Sequence, residues 1–220
     1  MIAEKLVSKN TVPLHVSDTG EEALGMMNDF RVRHLPVVDD QKLLGILSEE
    51  DILENDVESQ VGSYPIHGEK VYVHTSDHLY DVLRLIGIHQ VTVVPVLDSE
   101  EHYTGLITLE DLLHALAHLA SFSEPGGVLV LEMLWHDYSM VEITRIVEAE
   151  DTRILSSFVS SDENDPTKVE LTLKLNRQDL QRVIAALNRY GYDVKGTFTE
   201  KEYDDSLKER YELLMAYLNV

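Results

Sequence analysis

Two short stretches hold the clearest chemical potential in this chain: Gly45-Ile-Leu-Ser48-Glu-Glu-Asp51 and Gly105-Leu-Ile-Thr108-Leu-Glu-Asp111. In each, an apolar run ends in a hydroxyl residue with a carboxylate three positions on. If the run is a strand and the hydroxyl opens a helix, both groups share the first helical turn. A carboxylate so placed accepts two hydrogen bonds from a cis-diol such as ribose, while the hydroxyl and the helix-start amides reach a phosphate. Gly45 and Gly105 would let the strand turn and a ring approach the backbone closely. The same spacing is also a variant of the helix capping box, in which the side chains satisfy their own backbone amides. Spacing alone leaves both readings open.

The elements that must position these groups come from a repeat. Val16-Ser17-Asp18 followed by Glu21-Glu22-Ala23-Leu24 lies over Thr75-Ser76-Asp77 followed by Tyr80-Asp81-Val82-Leu83. At the same offset Leu35-Pro36-Val37-Val38-Asp39 falls on Val94-Pro95-Val96-Leu97-Asp98, and after one gained residue the two glycine-to-aspartate motifs coincide. A recurrence of proline, glycine, hydroxyl and aspartate in order marks a duplicated structural unit. Each copy reads as a short extended segment (12–16, 71–75) ending in a Ser/Thr-Asp suited to capping, then a helix (21–30, 79–89). A hairpin of two buried apolar runs follows, and then a second helix begun by Ser48 or Thr108. The order is β-α-β-β-α, twice.

This pattern resembles the CBS-domain family: a Leu-Pro-Val-Val-Asp strand, a Gly-h-h-Ser/Thr-x-x-Asp element, and two copies forming one module over residues 1–120, the first about 1–58 and the second about 59–120. The resemblance implies a regulatory module whose ligand is AMP, ADP, ATP or S-adenosylmethionine. Carried over, Ser48 with Asp51 and Thr108 with Asp111 anchor ribose and phosphate in two pseudo-symmetric clefts. Asn10-Thr11-Val12 and Lys70-Val71-Tyr72 border the base, and Pro36 and Pro95 lie on the cleft walls. The halves are unequal: Arg31-Val-Arg33-His34 stands before the first proline, where the family places phosphate-facing cations, whereas Gln90-Val-Thr92-Val93 stands before the second.

Breakers in Ser121-Phe-Ser-Glu-Pro-Gly-Gly127 mark a linker. Behind it the periodicity predicts strands at 128–134, 152–160, 168–175 and 192–198, with helices at 139–149 and 179–190, the second closed by Gly191. That β-α-β-β-α-β order predicts a ferredoxin-like sandwich over residues 128–198 and so an α/β (α+β) chain overall. It resembles the ACT family of small regulatory modules, although the turn Trp135-His-Asp-Tyr-Ser139 lacks the glycine at which ACT domains meet an amino acid. A CBS pair followed by such a domain also resembles the acetoin-utilisation regulator type of bacterial protein. A last amphipathic helix is expected within 199–220, with Leu207, Tyr211, Leu214 and Leu218 on one stripe.

Composition bounds the function. With 18 basic and 40 acidic residues the net charge is −22, which opposes nucleic acid and anionic membrane surfaces. There is no cysteine, hence no disulfide, thiol nucleophile or thiolate zinc site. No run approaches the ~18 apolar residues of a membrane span, nor does the N-terminus read as a signal peptide, so a soluble cytoplasmic protein is expected. Glu110, His114 and His118 share a helical face, but an exposed face is expected there rather than a metal site. Asp162-Glu-Asn-Asp165 reads as a solvated hairpin. No Walker, GxGxxG, GxSxG or HExxH motif occurs, and catalysis is not expected. The reading is a non-enzymatic sensor with no required cofactor, an adenine nucleotide as regulatory ligand, a homodimer and an unidentified regulated protein. Its alternative is a ligand-free assembly scaffold.

Overall fold

Apolar runs and capping residues resolve into the expected elements in a computed structural model, which describes residues 1–66, 71–119, 121–161 and 165–199. Lys70, Asp162, Asn164 and the expected helix within 199–220 lie outside the described residues. The chain divides into two compact units, Met1–Leu116 and Ala117–Val220.

In the first unit each repeat builds a three-stranded sheet. β1 (Leu14–His15) runs parallel to β2 (His34–Asp39), which pairs antiparallel with β3 (Lys42–Ser48). The second repeat copies this with β4 (Val73–His74), β5 (Val93–Leu97) and β6 (Tyr103–Thr108). Helix α1 (Gly20–Phe30) bridges β1 and β2, and α3 (Leu79–His89) bridges β4 and β5. Their caps are not the Ser/Thr-Asp pairs expected from sequence. The N-caps are Thr19, in a reciprocal capping box with Glu22, and His78, whose Nδ1 accepts the Tyr80 N–H at 3.3 Å while Asp81 accepts the His78 N–H at 3.2 Å. Asp18 and Asp77 instead accept the backbone N–H of His15 and His74, each at 2.7 Å, closing the turn before the helix. After the hairpins, α2 (Glu49–Leu53) and α4 (Leu109–Leu119) start where Ser48 and Thr108 predicted.

Packing crosses the repeat boundary. A 3₁₀ turn at Ala3–Leu6 sends Ala3 and Leu6 into the core of the second repeat, among Val73, Leu79, Val82 and Ile107. The Ala3 N–H donates to Asp77 O at 2.8 Å, and the Ser8 N–H to Leu106 O at 2.8 Å. The equivalent 3₁₀ turn, Val61–Ser63, with Tyr64 behind it, fills the core of the first repeat beside Leu14, Leu35 and Ile52. Each repeat is completed by the lead-in segment of the other.

In the second unit the order is β7 (Gly127–Leu134), α5 (Met140–Ala149), β8 (Ile154–Ser161), β9 (Lys168–Leu175), α6 (Gln181–Arg189) and β10 (Asp193–Phe198). The antiparallel sheet runs β10-β7-β9-β8, the ferredoxin-like arrangement. Alternation along β7 and β9 buries Leu129, Leu131, Met133, Val169, Leu171, Leu173 and Leu175 against Ile143, Ile146, Val147, Val183 and Leu187 of the helices. No helix among the described residues is long and apolar enough to cross a membrane.

Candidate functional site

β3 delivers Ser48 and β6 delivers Thr108 to equivalent strand-to-helix turns. Ser48 donates its backbone N–H to Asp51 Oδ2 at 2.8 Å and its hydroxyl to the same oxygen at 2.6 Å, while the Asp51 N–H donates to Ser48 Oγ at 3.0 Å. Thr108 and Asp111 repeat this: hydroxyl to Oδ2 at 2.6 Å, backbone N–H to Oδ2 at 3.3 Å, and the Asp111 N–H to Oγ1 at 3.1 Å. The capping reading of the motif is therefore realised in both halves. It occupies only Oδ2; Oδ1 of each aspartate has no hydrogen-bond partner among the described residues. A carboxylate oriented by its own helix start keeps one oxygen for an incoming hydroxyl.

The motif glycines face side chains from the exchanged lead-in segments. A Cβ at Gly45 would collide with Ile66 Cγ2, and one at Gly105 with Val7 Cγ1. These positions are open so that Ile66 and Val7 can lie against the strand, a packing role that the reading for ring approach did not include. The segment leading to Thr11 accordingly runs beside β6 of the other repeat, through the Ser8–Leu106 bond. Ser8 also donates its hydroxyl to Thr11 Oγ1 at 3.3 Å, and Val12 is exposed. Pro36 pairs across the sheet with Ile46, and Pro95 with Leu106, both prolines buried. Val71 turns into the second core, and Tyr72 packs with Tyr103 on Val38, Leu43 and Leu97 where the two hairpins meet.

Arg31 forms the left-handed C-cap of α1, φ 56°. Arg33 extends over the start of α2, with Nη2 3.2 Å from Glu50 Oε1 and Nε 3.8 Å from Glu49 Oε2, both pairs exposed. Its backbone N–H donates to Thr92 Oγ1 at 3.0 Å. His34, beside Ser48 in the β2–β3 register, accepts the Thr92 N–H at Nδ1 at 3.2 Å and contacts Thr92 Oγ1 at 3.1 Å. Burial first, and Arg33 second, hold the His34 pKa below its ordinary value, against the pull of Asp51 and Glu50. Thr92, noted in sequence only as lacking a cation, is thus one of the residues that tie the two repeats together. The repeat alignment, which sets it opposite Arg33, was the signal that could have found it.

The second unit holds a cavity of about 350 Å³ lined by Glu132, Met133, Asp137, Glu142, Tyr190 and Tyr192 among others. Lys168 and Lys195 pair with Glu132 at 3.2 and 3.0 Å, and Tyr192 donates its hydroxyl to Glu142 at 3.2 Å. Carboxylates dominate this lining, which disfavours the carboxylate of an amino acid. On α4, Glu110 and His114 approach to 3.9 Å on an exposed face. Among the described residues no group of three or more His, Cys, Asp or Glu is placed to hold a metal ion.

Comparison with known proteins bears on the first unit. Inosine-5'-monophosphate dehydrogenase of Methanocaldococcus jannaschii is 24% identical over 149 residues, 67% of this chain and 30% of that protein. The chain therefore spans under a third of that relative's length. The crystal structure of a CBS domain pair/ACT domain protein from Thermotoga maritima is 28% identical, covering 54% of this chain and 98% of that one at a TM-score of 0.48. The cytosolic domain of the Mg²⁺ channel MgtE, solved in complex with ATP, is 30% identical, covering 52% of this chain and 48% of that one at a TM-score of 0.43. The family profile described as CBS domain matches residues 3–58 and again residues 61–118.

Proposed function

The chain belongs to the CBS-domain family through both repeats, and from that premise we propose that it is a non-enzymatic regulatory protein that binds an adenine nucleotide or S-adenosylmethionine in the clefts of its first unit. The observation that carries this reading is the duplicated Ser/Thr–Asp pair, each aspartate held by Oδ2 with Oδ1 left for a ribose diol. The hydroxyl–amide turn beside it supports a phosphate. The first cleft is the preferred one, because Arg33 stands over its helix start and Thr92 occupies the matching place in the second. Bound nucleotide favours one packing of the repeats by no more than its differential affinity for the alternatives. The signal passes through a homodimer or to a regulated partner protein.

Thermal-shift titration of the full chain against AMP, ADP, ATP, S-adenosylmethionine and NAD tests this. A ligand of the native state at a hundredfold excess over Kd adds ~2.7 kcal/mol of stability, so one adenosyl ligand should give a saturating rise. Asp51→Ala should weaken that ligand by roughly ten- to a hundredfold, the equivalent of ~1.5–3 kcal/mol for a hydrogen-bonded charge. Calorimetry reads it, and unchanged affinity removes Asp51 as the ribose anchor. A ligand-free assembly scaffold is the second reading, favoured by Val7 and Ile66 lying over the motif glycines. It predicts no saturable shift with any of these compounds.

A further inference from the structure

Thr92 stands in the second repeat, yet its hydrogen bonds run into the first. Its Oγ1 accepts the Arg33 N–H at 3.0 Å and lies 3.1 Å from His34 Nδ1, and its own N–H donates to that nitrogen at 3.2 Å. A backbone N–H can only donate, so Nδ1 is an acceptor, and the Thr92 hydroxyl turns its proton to the same nitrogen. One hydroxyl thus fixes the backbone of Arg33 and the ring of His34 together. Carbonyl groups extend the connection. Arg33 O accepts the N–H of Glu49, the residue after Ser48, at 2.9 Å, and Thr92 O accepts the N–H of Leu109, the residue after Thr108, at 3.0 Å. The segments before the two prolines are therefore joined to each other and to the starts of α2 and α4, the helices that carry Asp51 and Asp111.

This clasp leaves two donors available on the first repeat. With Nδ1 occupied, the neutral His34 ring carries its proton on Nε2, which has no hydrogen-bond partner among the described residues. The ring belongs to the first cleft, because His34 is the register partner of Ser48. Arg33 is exposed and rests on Glu49 and Glu50 at 3.8 and 3.2 Å. Exposed pairs of this kind contribute little, so a phosphate can draw the guanidinium from them. A guanidinium beside an imidazole N–H suits a phosphate dianion. Adenosine offers these donors nothing.

We propose that Thr92 is a positioning residue of the first cleft: its hydroxyl sets Arg33 and His34 at the phosphate end, so that a residue of the second repeat determines the first cleft's preference for phosphorylated over unphosphorylated adenosyl ligands. Thr92 acts through the Arg33 backbone and the His34 ring and does not itself hold the ligand. Without its hydroxyl the Arg33 N–H loses its acceptor and His34 Nδ1 loses one of two donors. Both phosphate-facing groups are then less fixed, while the Ser48–Asp51 pair keeps its own hydrogen bonds. The loss falls on the phosphate and spares the nucleoside. The inference rests on the nucleotide reading of the first cleft and adds to it the class of ligand selected.

Calorimetric titration of the full chain with AMP, ATP, adenosine and S-adenosylmethionine measures the preference. The wild type should favour AMP or ATP over the two unphosphorylated ligands. Thr92→Val should weaken the tighter nucleotide by roughly three- to tenfold, the range of one net hydrogen bond, and leave adenosine within about twofold. Thr92→Ser, which keeps the hydroxyl, should restore the nucleotide affinity. An equal loss for nucleotide and adenosine, or no loss for the nucleotide, overturns the proposal, since a purely structural residue would move both ligands alike. Nitrogen NMR of the wild-type histidines gives a second measurement if Thr92→Val does not fold, with His34 identified by its absence from His34→Gln. The tighter nucleotide should shift Nε2 of His34, adenosine should not, and Nδ1 should stay an unprotonated acceptor. A nucleotide that leaves Nε2 unmoved overturns the proposal as well. A wild type that binds adenosine or S-adenosylmethionine as tightly as AMP or ATP overturns this inference and leaves the nucleotide reading standing, whereas one that binds none of the four removes both.

Discussion

His34 receives the Thr92 N–H on Nδ1, so the neutral ring carries its proton on Nε2, and protonating Nδ1 would sacrifice that bond between the repeats. Burial and Arg33 lower the pKa of this histidine in the folded chain, so at a given pH near its titration the unfolded chain holds more proton there. The His34 contribution to stability is therefore complete above the unfolded value of about 6.5, and it is lost as pH falls through the lower folded value. Melting temperatures from about pH 8 to about pH 5 should fall more steeply for the wild type than for His34→Gln. Parallel curves would show that His34 does not titrate in this way. Arg33 and His34 were legible as candidate phosphate cations from their place before the proline. The link to Thr92 was not, because it joins residues 58 apart along the chain.

At the scale of elements, α2 is only five residues long and depends on its Ser48–Asp51 capping box, since so short a helix gains little from its own hydrogen bonds. The strand before each motif depends on its glycine. Both Gly45 and Gly105 lie under a packed side chain, but only Gly105 also sits at positive φ, 154°. Gly105→Ala should therefore cost more than Gly45→Ala: about 1–3 kcal/mol of overpacking in either variant, with a backbone penalty added at 105. Urea unfolding of the two variants compares them directly, and equal losses would mean that the strand relaxes its φ freely. Element order and both motif helices were readable because period and capping chemistry are local. The caps of α1 and α3 were misplaced by one or two residues, because Asp18 and Asp77 found backbone donors in the preceding turn.

Across the whole molecule, the first unit is interlocked. Leu6 belongs by sequence to the first repeat and by packing to the second, where it is 5% exposed. Leu6→Ala should destabilise that unit by roughly 2–5 kcal/mol, as for other large-to-small changes in a core. It should also loosen the lead-in segment that runs beside the second motif. Chemical denaturation followed together with nucleotide affinity measures both effects. A loss below ~1 kcal/mol would mean that the 3₁₀ turn docks weakly. The same interlocking means that a cut at the sequence boundary near residue 58 would divide both cores.

By itself, the sequence determined the duplication, the β-α-β-β-α order of each copy, the ferredoxin-like order behind them, and the residue pairs Ser48–Asp51 and Thr108–Asp111. All of these follow from periodicity and from contacts within one turn. Tertiary structure decided what depends on distant segments meeting: the exchange of lead-in segments, Ile66 and Val7 over the motif glycines, and Thr92 between Arg33 and His34. It also decided the order of strands in the second sheet, because sheet order is set by pairing between distant segments, which local sequence does not encode.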